Sequence, residues 1–384
     1  MSLSKTIWAD PHSYLRRTDC DTPVLFFAPN WLQDSARRFL AGFPGLVTYA
    51  VKANPDEEVI QNIAAAGVAG FDVASPEEIA LIRRLVPGAA LHYNNPVRSV
   101  AEIAAGVAAG VASWSVDSQS ELDKLLAHLP AGPGEIAVRF KLPVKGASYD
   151  FGAKFGTTPE QAAGLLAQVA ARGLTPALTF HPGTQCTDPQ AWSAYIREAA
   201  AIARSAGVSI ARLNVGGGFP ADRGDGATPA LEAIFACIAA ETQAAFGADA
   251  PALICEPGRA MVAESFTLAA RVRAVRDGAH VFLNDGVYGA LAETPLVGIP
   301  GPVSVLASDG TPRRGQILPR VVFGPTCDSV DRLPGEVGLP ADIAEGDYVL
   351  FRGTGAYSTV TNTRFNGFGA LKLVTVMSLE AAVG

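Results

Sequence analysis

Cysteine is scarce in this sequence and shows no paired arrangement. The five cysteines are Cys20, Cys186, Cys237, Cys255 and Cys327, and no two of them have CxxC spacing. Zinc sites need closely spaced ligands, and disulfide frameworks usually use an even number of cysteines. We therefore expect no metal site and no disulfide framework. This cysteine usage is typical of a reducing compartment such as the cytoplasm.

Basic runs and long apolar runs are also lacking. The chain has 30 Lys and Arg against 37 Asp and Glu, which gives a formal net charge of -7. This balance argues against nucleic acid as a partner, because phosphate backbones attract basic surfaces. The N-terminus, MSLSKTIWADPHS, lacks a signal-peptide pattern, and no apolar run reaches the ~18 residues of a membrane span. We expect a soluble cytoplasmic protein that binds neither nucleic acid nor membrane.

What the chain does have is a long alternation of β-like and helix-like segments. Its 384 residues are 49% hydrophobic, enough for a sizeable core and more than one typical domain. Eight β-like runs, from LVTYAVKAN (46–54) to ALICEPG (252–258), alternate with alanine-rich helical patterns. Eight strands alternating with helices over about 215 residues is the count of a TIM barrel.

The composition changes after about residue 264. Short alternating runs such as SFTLAARVRAV, HVFLNDG and GDYVLFRG follow, separated by Gly and Pro turns, which is typical of an all-β domain. The early run VLFFAPN is a further candidate for that sheet, since no other sheet is obvious for it. We expect an α/β fold with a TIM (β/α)8 barrel over residues 23–264. A C-terminal β-sandwich or barrel-like domain is expected over 265–384, together with about 1–22.

Chemically active side chains lie near the carboxyl ends of the predicted barrel strands, where TIM barrels have their active sites. They comprise a lysine, two carboxylates, an imidazole and two arginines: Lys52, Asp72, Arg139, His181, Glu256 and Arg259. This set fits an anionic, phosphorylated ligand.

Three consecutive glycines, Gly216 to Gly218, follow the seventh predicted strand. Without a Cβ, their backbone N–H groups can approach a ligand closely, and barrels commonly bind phosphate after strands seven and eight. A simple tight turn is an equally good interpretation of an isolated triplet. A dinucleotide motif, GxGxxA ending at Ala221, is rejected because Pro220 and DRGDG stand where a helix should begin at once.

Eight motifs, in order along nearly the whole chain, resemble the fold type III pyridoxal-phosphate decarboxylases, specifically the ornithine/lysine decarboxylase branch. They are YAVKAN, GFDVASPEE, HPGTQ, GGGFP, EPGR, NDGVYG, GPTCDSVDR and GAYSTVTNTRFNGF. Each motif alone is weak, but eight in order are specific. The resemblance implies an alanine racemase-like barrel and β-domain, pyridoxal 5'-phosphate as cofactor, and a homodimer with active sites at the subunit interface.

The resemblance also implies roles for residues around the cofactor. Lys52 is similar to the lysine that holds the cofactor covalently, and Glu256 to the carboxylate that pairs with the pyridine nitrogen. His181 resembles the imidazole that stacks on the ring. The implied phosphate binders are Gly217, Gly218, Arg259 and Tyr357, with Thr184 where the family usually has serine. Asp72, Glu78 and Arg139 resemble further residues around the lysine and the cofactor.

A second group resembles the family's substrate site. Cys327 would return a proton to Cα, and Asp328 would accept the distal ammonium of a diamino acid, both across the dimer interface. Tyr288 and Phe365 would complete the substrate pocket. The family's second substrate-binding aspartate is missing here, because Val297 stands at that spacing.

Several of these residues also have purely structural interpretations. Lys52 would then be a lysine snorkelling from a strand end, and His181 a satisfied loop histidine. Glu256 would pair with Arg259, and Cys327 would be a small buried hydrophobe. The eight motifs taken together favour the functional interpretation.

We expect a decarboxylase of a basic L-amino acid, first L-ornithine, with putrescine and CO2 as products in polyamine biosynthesis. Lysine, diaminopimelate or an arginine-like amino acid are alternative substrates. Asp328 disfavours diaminopimelate, whose enzymes typically carry glutamate in a CES pattern, and GPTCD is poorly explained by a racemase. A catalytically inactive regulatory homologue is the alternative from another class, and the retained cofactor residues argue against it.

Overall fold

The computed structural model describes residues 6–130, 132, 134–143, 154–222 and 230–380. The chain divides into two units. The barrel unit holds the described residues of Ser35–Pro220 and Pro229–Met261, and the β-unit holds those of Met1–Asp34, Ala221–Thr228 and Val262–Gly384.

The strands in chain order are β1 Val24–Phe27, β2 Leu46–Ala50, β3 Gly70–Val73, β4 Ala90–Tyr93, β5 Ser113–Val116, β6 Glu135–Arg139, β7 Thr175–Thr179, β8 Arg212–Asn214, β9 Ala252–Cys255, β10 Phe266–Arg276, β11 His280–Leu283, β12 Val303–Leu306, β13 Ile317–Phe323, β14 Val337–Pro340, β15 Tyr348–Arg352 and β16 Lys372–Thr375.

The α-helices are α1 Pro11–Leu15, α2 Pro29–Gly42, α3 Glu57–Ala65, α4 Pro76–Leu85, α5 Val100–Ala108, α6 Gln119–His128, α7 Pro159–Ala171, α8 Pro189–Ala206, α9 Leu231–Phe246, α10 Arg259–Val262 and α11 Thr294–Val297. Short 3-10 turns cover Val51–Ala53, Gly247–Asp249, Ala263–Ser265 and Phe365–Gly367.

Strands β2 to β9 form a closed parallel barrel in sequence order. The ring closes where Leu46 of β2 lies opposite Ile254 of β9. Each of the eight predicted β-like runs contains one of these strands, so the TIM-barrel fold class is confirmed. Their interiors are almost continuously buried, as expected for parallel strands that are covered on both faces.

The barrel helices begin where the sequence places capping residues. Ser75 Oγ accepts a hydrogen bond from the Glu78 N–H at the start of α4, and Pro76 occupies the first helical position. Thr158 caps α7 in the same way through the Gln161 N–H. Both helices therefore start at a proline that directly follows the capping residue.

The β-unit contains an eight-stranded sheet. Six of its strands follow the order β12-β15-β10-β11-β13-β14, the seventh, β1, pairs with β10, and the eighth, β16, pairs with β1. Strand β1 pairs antiparallel with β10 and parallel with β16. The first four residues of VLFFAPN therefore pair in this sheet, as expected for that run, and the barrel unit begins at Ser35. Strands β12 and β14 were not predicted; each is only four residues long.

Within the described residues, one stretch is long and apolar enough to suit a membrane span, Leu231–Asp249, with a mean hydropathy of 1.2. It consists of α9 and the turn that follows it. This helix occupies the position of the barrel helix after β8, and Phe235 on it packs against Phe39 and Phe219. Its place in the barrel therefore accounts for its apolar face.

A buried histidine inside the barrel predicts an acid-dependent loss of stability. His92 on β4 is buried, and its Nδ1 lies 2.8 Å from Ser113 Oγ. Burial, with a smaller effect from the Arg212 charge, lowers the pKa of His92 to about 4. In the unfolded chain the pKa is about 6.5, so only the unfolded state takes up this proton as pH falls.

The free energy of unfolding that buried, neutral His92 contributes is fully present above pH 6.5 and is lost as pH falls towards 4. Over that window wild type should lose on the order of 3 kcal/mol more unfolding free energy than His92→Gln. Denaturant unfolding from pH 7 to pH 4 measures the difference. Parallel pH dependences in the two proteins would refute the assignment.

Candidate active site

Lys52 lies one residue beyond the end of β2, on the turn Val51–Ala53. Its Nζ is 2.6 Å from Oδ2 of Asp72, which is buried on β3. The Lys52 side chain is 47% exposed. The turn carries the residue past the strand end, so the amine is accessible at the barrel mouth while an ion pair holds its position.

Glu78 is a second carboxyl group near Lys52. Its Oε2 accepts a hydrogen bond of 2.7 Å from the Ala74 N–H, which follows β3. Burial raises the pKa of Glu78, and the Ala74 N–H and the Lys52 charge partly oppose that rise. Two carboxyl groups of the adjacent βα segment, those of Asp72 and Glu78, therefore lie near the Lys52 amine.

Glu256 directly follows β9 and is buried. Its Oε1 accepts hydrogen bonds from two side-chain amides, Nδ2 of Asn94 at 2.5 Å and Nδ2 of Asn214. Burial, and then the nearby Asp72 charge, raises the pKa of Glu256 to about 7, while Lys52, Asn214 and Arg139 act in the opposite direction. This carboxyl group can thus exchange a proton near neutral pH.

The triple-glycine loop lies beside Glu256. A Cβ on Gly217 would lie 2.6 Å from the Glu256 carbonyl oxygen, and one on Gly218 would lie 2.1 Å from the Gly183 carbonyl oxygen. Gly216 and Gly218 have φ of +69° and +83°, a region that favours glycine. Only glycine fits this close approach, so the interpretation of the triplet as a specialised loop gains support over a simple turn.

His181 lies two residues after β7, next to the glycine loop. Its Nδ1 accepts a hydrogen bond from the Gly183 N–H at 3.0 Å. Burial, together with the Arg139 and Lys52 charges, lowers the pKa of His181 well below its usual value. The ring is therefore a neutral, flat imidazole. Thr184 lies in the following loop, which is joined to the glycine loop by the Cys186 N–H and the Gly218 carbonyl.

Arg139 and Arg259 supply the positive charge of the barrel site. Arg139 ends β6, and its guanidinium carbon is 5.3 Å from the Phe155 ring centroid. Burial lowers the pKa of Arg139, although Glu256, Asp117 and Asp72 counteract that effect. Arg259 begins α10 and is buried, with 8% of its surface exposed.

The predicted substrate residues form a cluster of their own within the β-unit. The Tyr288 hydroxyl donates to Oδ2 of Asp328 at 2.6 Å, and the Tyr288 and Phe365 rings are 4.9 Å apart. The Cys327 N–H donates to Oδ1 of Asn366 at 3.1 Å. The alternative of Cys327 as a buried hydrophobe is wrong, because this cysteine is exposed.

Tyr357, the predicted phosphate-binding tyrosine, also lies in the β-unit. Its φ of +65° is uncommon for a residue with a side chain. The Thr361 N–H and hydroxyl both donate to the Tyr357 carbonyl, at 3.1 and 2.8 Å. Backbone strain of this kind persists where the surroundings enforce it, as at many ligand sites.

The sequence interpretation missed Asn94 and Asn214. Asn94 immediately follows β4, and Asn214 is the last residue of β8. Both are buried polar side chains, which need hydrogen-bonding partners. Their position at strand ends was a usable signal, since that is where a barrel collects its functional groups.

Gly218→Ala tests the glycine loop. The positive φ and the contact with Gly183 should cost about 1–3 kcal/mol of stability. A shift of the loop should also weaken cofactor binding by about tenfold or more. Denaturation and cofactor titration measure the two effects. The control Gly164→Ala, on α7 with open space around the new Cβ, should leave binding unchanged; equal behaviour of the two variants would contradict the close approach.

The donor set fits pyridoxal 5'-phosphate, the cofactor expected from the sequence. A cradle of glycines that any Cβ would fill, with buried Arg259, suits a phosphate group. An accessible lysine amine suits the aldehyde carbon, and the buried carboxyl of Glu256 suits a ring nitrogen. A neutral imidazole suits the flat face of an aromatic ring.

Comparisons with known proteins agree with this fit. Residues 31–263 match the family model described as pyridoxal-dependent decarboxylase, pyridoxal binding domain. Ornithine decarboxylase from Mus musculus is 30% identical over 365 residues, which cover 89% of this chain and 77% of that protein.

Solved structures are similar over nearly the full length. The arginine decarboxylase of Paramecium bursaria Chlorella virus, bound to agmatine, has a TM-score of 0.83 at 25% identity and covers 94% of this chain and 98% of its own. The lysine/ornithine decarboxylase of Vibrio vulnificus, complexed with cadaverine, has a TM-score of 0.79 at 26% identity and covers 93% and 95%. The expected family is confirmed: the chain belongs to the pyridoxal-dependent decarboxylases and is an amino-acid decarboxylase that uses pyridoxal 5'-phosphate.

Proposed function

We propose that this enzyme decarboxylates a basic L-amino acid, first L-ornithine, and forms putrescine and CO2 in polyamine biosynthesis. The observation that carries the proposal is the group at the barrel mouth. Lys52 pairs with Asp72, while Glu256 and His181 flank the triple-glycine loop. Relatives that act on ornithine, lysine or arginine support a basic substrate.

The barrel residues bind and orient in this proposal. Lys52 supplies the amine that holds the cofactor, and Asp72 keeps that amine in place. Arg259, Thr184 and the glycine N–H groups bind phosphate, and His181 covers one face of the ring. Bound pyridoxal 5'-phosphate supplies an electron sink for the bond between Cα and the carboxylate. Glu256 supports that sink by keeping a proton at the ring nitrogen.

The choice of a diamino acid rests on Asp328. The Tyr288 hydroxyl, and then the Val330 N–H, lower the pKa of Asp328, so it stays ionised at neutral pH. An ionised, oriented carboxylate suits the distal ammonium of ornithine or lysine. Val297, the last residue of α11, offers no carboxylate for this role. Lysine, an arginine-like acid and diaminopimelate remain the competing substrates.

We also propose that the enzyme is a cytoplasmic homodimer in which Cys327 and Asp328 reach the barrel of the partner subunit. The surface around these residues supports an interface. Val330, Phe365 and Phe368 are 63%, 41% and 38% exposed. A cavity of about 670 Å³ nearby is lined by Cys327, Asp328 and Phe368. An exposed apolar surface of this kind is typical of a protein contact.

Product identification tests the substrate. The protein is incubated with cofactor and ornithine, lysine, arginine or diaminopimelate at equal concentrations, and the amines are separated by chromatography. We expect putrescine to form with the highest kcat/KM. Asp328→Asn should raise the KM for ornithine by about tenfold or more, since a charge-assisted hydrogen bond is lost. Preference for arginine or diaminopimelate would contradict the proposal.

Cys327→Ala tests the proton donor. Without the thiol, protonation is no longer directed to Cα, so by-products should appear beside putrescine. Mass spectrometry of the products measures their ratio, and Cys237→Ala is the control on α9. An unchanged product ratio in Cys327→Ala would remove this role from Cys327.

Mixing two variants tests the shared site. Lys52→Ala and Cys327→Ala damage different halves of the proposed site, so a mixed dimer contains one intact combination. We expect clean putrescine formation to reappear after the variants are mixed and allowed to exchange subunits. Mixtures that perform no better than the separate variants would contradict a site built from both subunits.

A further inference from the structure

Two buried amides converge on the one carboxyl group that lies beside the glycine loop. Asn94 follows β4 and Asn214 ends β8, on different sides of the barrel ring, yet both donate to Oε1 of Glu256. Both side chains are less than a tenth exposed. Oε2 is the oxygen that neither amide engages.

Asn214 also makes a second contact, which Asn94 lacks. Its Oδ1 accepts a hydrogen bond of 2.9 Å from the N–H of Gly216, the first glycine of the loop. The backbone also links Glu256 to Gly216, because the Glu256 N–H donates to the Gly216 carbonyl at 2.9 Å. One amide side chain therefore joins the carboxyl group to the start of the glycine loop.

We propose that Asn94 and Asn214 are positioning residues that hold Glu256 as an oriented carboxylate, and that Asn214 couples this carboxylate to the triple-glycine loop. The inference rests on the proposed function for what Glu256 does when the cofactor is bound. The amides are needed because Glu256 is buried and faces another acid. Asp72 disfavours its charge, while Lys52 and Arg139 favour it, and His181 next to the loop is neutral.

Hydrogen bonds to a carboxylate stabilise its charged form. Removing either amide donor should therefore raise the pH at which Glu256 titrates, by about one unit or more. The test uses cofactor-free protein labelled with [5-13C]glutamate, and Glu256→Gln identifies the Glu256 carbon resonance by its loss. Asn94→Leu and Asn214→Leu remove the donors, and the uncharged Asn94→Ala and Asn214→Ala serve if a leucine variant does not fold.

Asn95→Leu is the matched control, because the Asn95 amide donates to the Ala74 carbonyl at 3.5 Å and not to Glu256. We expect the midpoint to rise in the Asn94 and Asn214 variants and to stay at the wild-type value in Asn95→Leu. Midpoints that stay at the wild-type value in both donor variants would overturn the proposal.

The coupling to the loop has its own readout, cofactor affinity. Asn214→Asp keeps the acceptor for the Gly216 N–H and Asn214→Leu loses it, so pyridoxal 5'-phosphate should bind about tenfold more weakly to the leucine variant. Equal dissociation constants would overturn the coupling. Failure of the wild type to bind the cofactor would instead refute the proposed function. The titration of Glu256 uses cofactor-free protein, so its result does not depend on that binding.

Discussion

Replacing Lys52 by alanine should reduce decarboxylation by about 10³-fold or more, because the amine that we propose holds the cofactor is lost. The same change should remove the visible absorbance of the lysine-bound cofactor. Asp72 would then be a buried carboxylate that has lost the Lys52 amine now 2.6 Å away. The cofactor-free protein should therefore also lose some stability. Steady-state assays and absorbance spectra of the purified variant measure both effects.

Lys124→Ala is the matched control for this experiment. Lys124 also pairs with a carboxylate, Glu121, but it lies on α6, far along the chain from YAVKAN. It should retain full activity and the full absorbance of the bound cofactor. Full activity in Lys52→Ala, or loss of absorbance in both variants, would refute the role of Lys52.

Replacing Glu256 by glutamine should lower kcat by about 10²–10³-fold, since the carboxylate that we propose assists bond cleavage is removed. Glutamine keeps the shape of the side chain but cannot hold a negative charge opposite the ring nitrogen. Lys52 is untouched, so the absorbance of the bound cofactor should persist, although its pH dependence should change. Single-turnover measurements separate the chemical step from binding.

The control for Glu256 is Glu241→Gln. Glu241 on α9 forms an ion pair with Arg197 at the surface, so its neutralisation should leave kcat unchanged. A kcat for Glu256→Gln within twofold of that control would show that the carboxyl group does not assist the reaction.

Much of the barrel was predictable because its signals are local. Each strand is an apolar run bounded by turn residues, and helix starts such as Ser75-Pro76 carry their own capping chemistry. Exact strand ends were less predictable. The run LVTYAVKAN reads as one strand, but β2 stops at Ala50 and a 3-10 turn carries Lys52. That single turn decides whether the amine is buried or accessible.

Features that depend on distant pairing were not predictable in the same way. The strand β1 pairs with β10 and β16, more than 200 residues further on, and nothing within VLFFAPN specifies those partners. Likewise, Asn94 and Glu256 meet only when the barrel closes. The motifs identified the residues that we propose bind the cofactor, while the amides that we propose position Glu256 became visible only through three-dimensional contacts.

The central claim, that Lys52 holds the cofactor at the barrel mouth, is tested most directly by reductive trapping. Purified enzyme with bound pyridoxal 5'-phosphate is treated with borohydride, digested and analysed by peptide mass spectrometry. We predict a pyridoxyl group on the Nζ of Lys52, in the peptide that contains YAVKAN. A pyridoxyl group on another lysine, such as Lys124 or Lys372, or no labelled peptide at all, would contradict it.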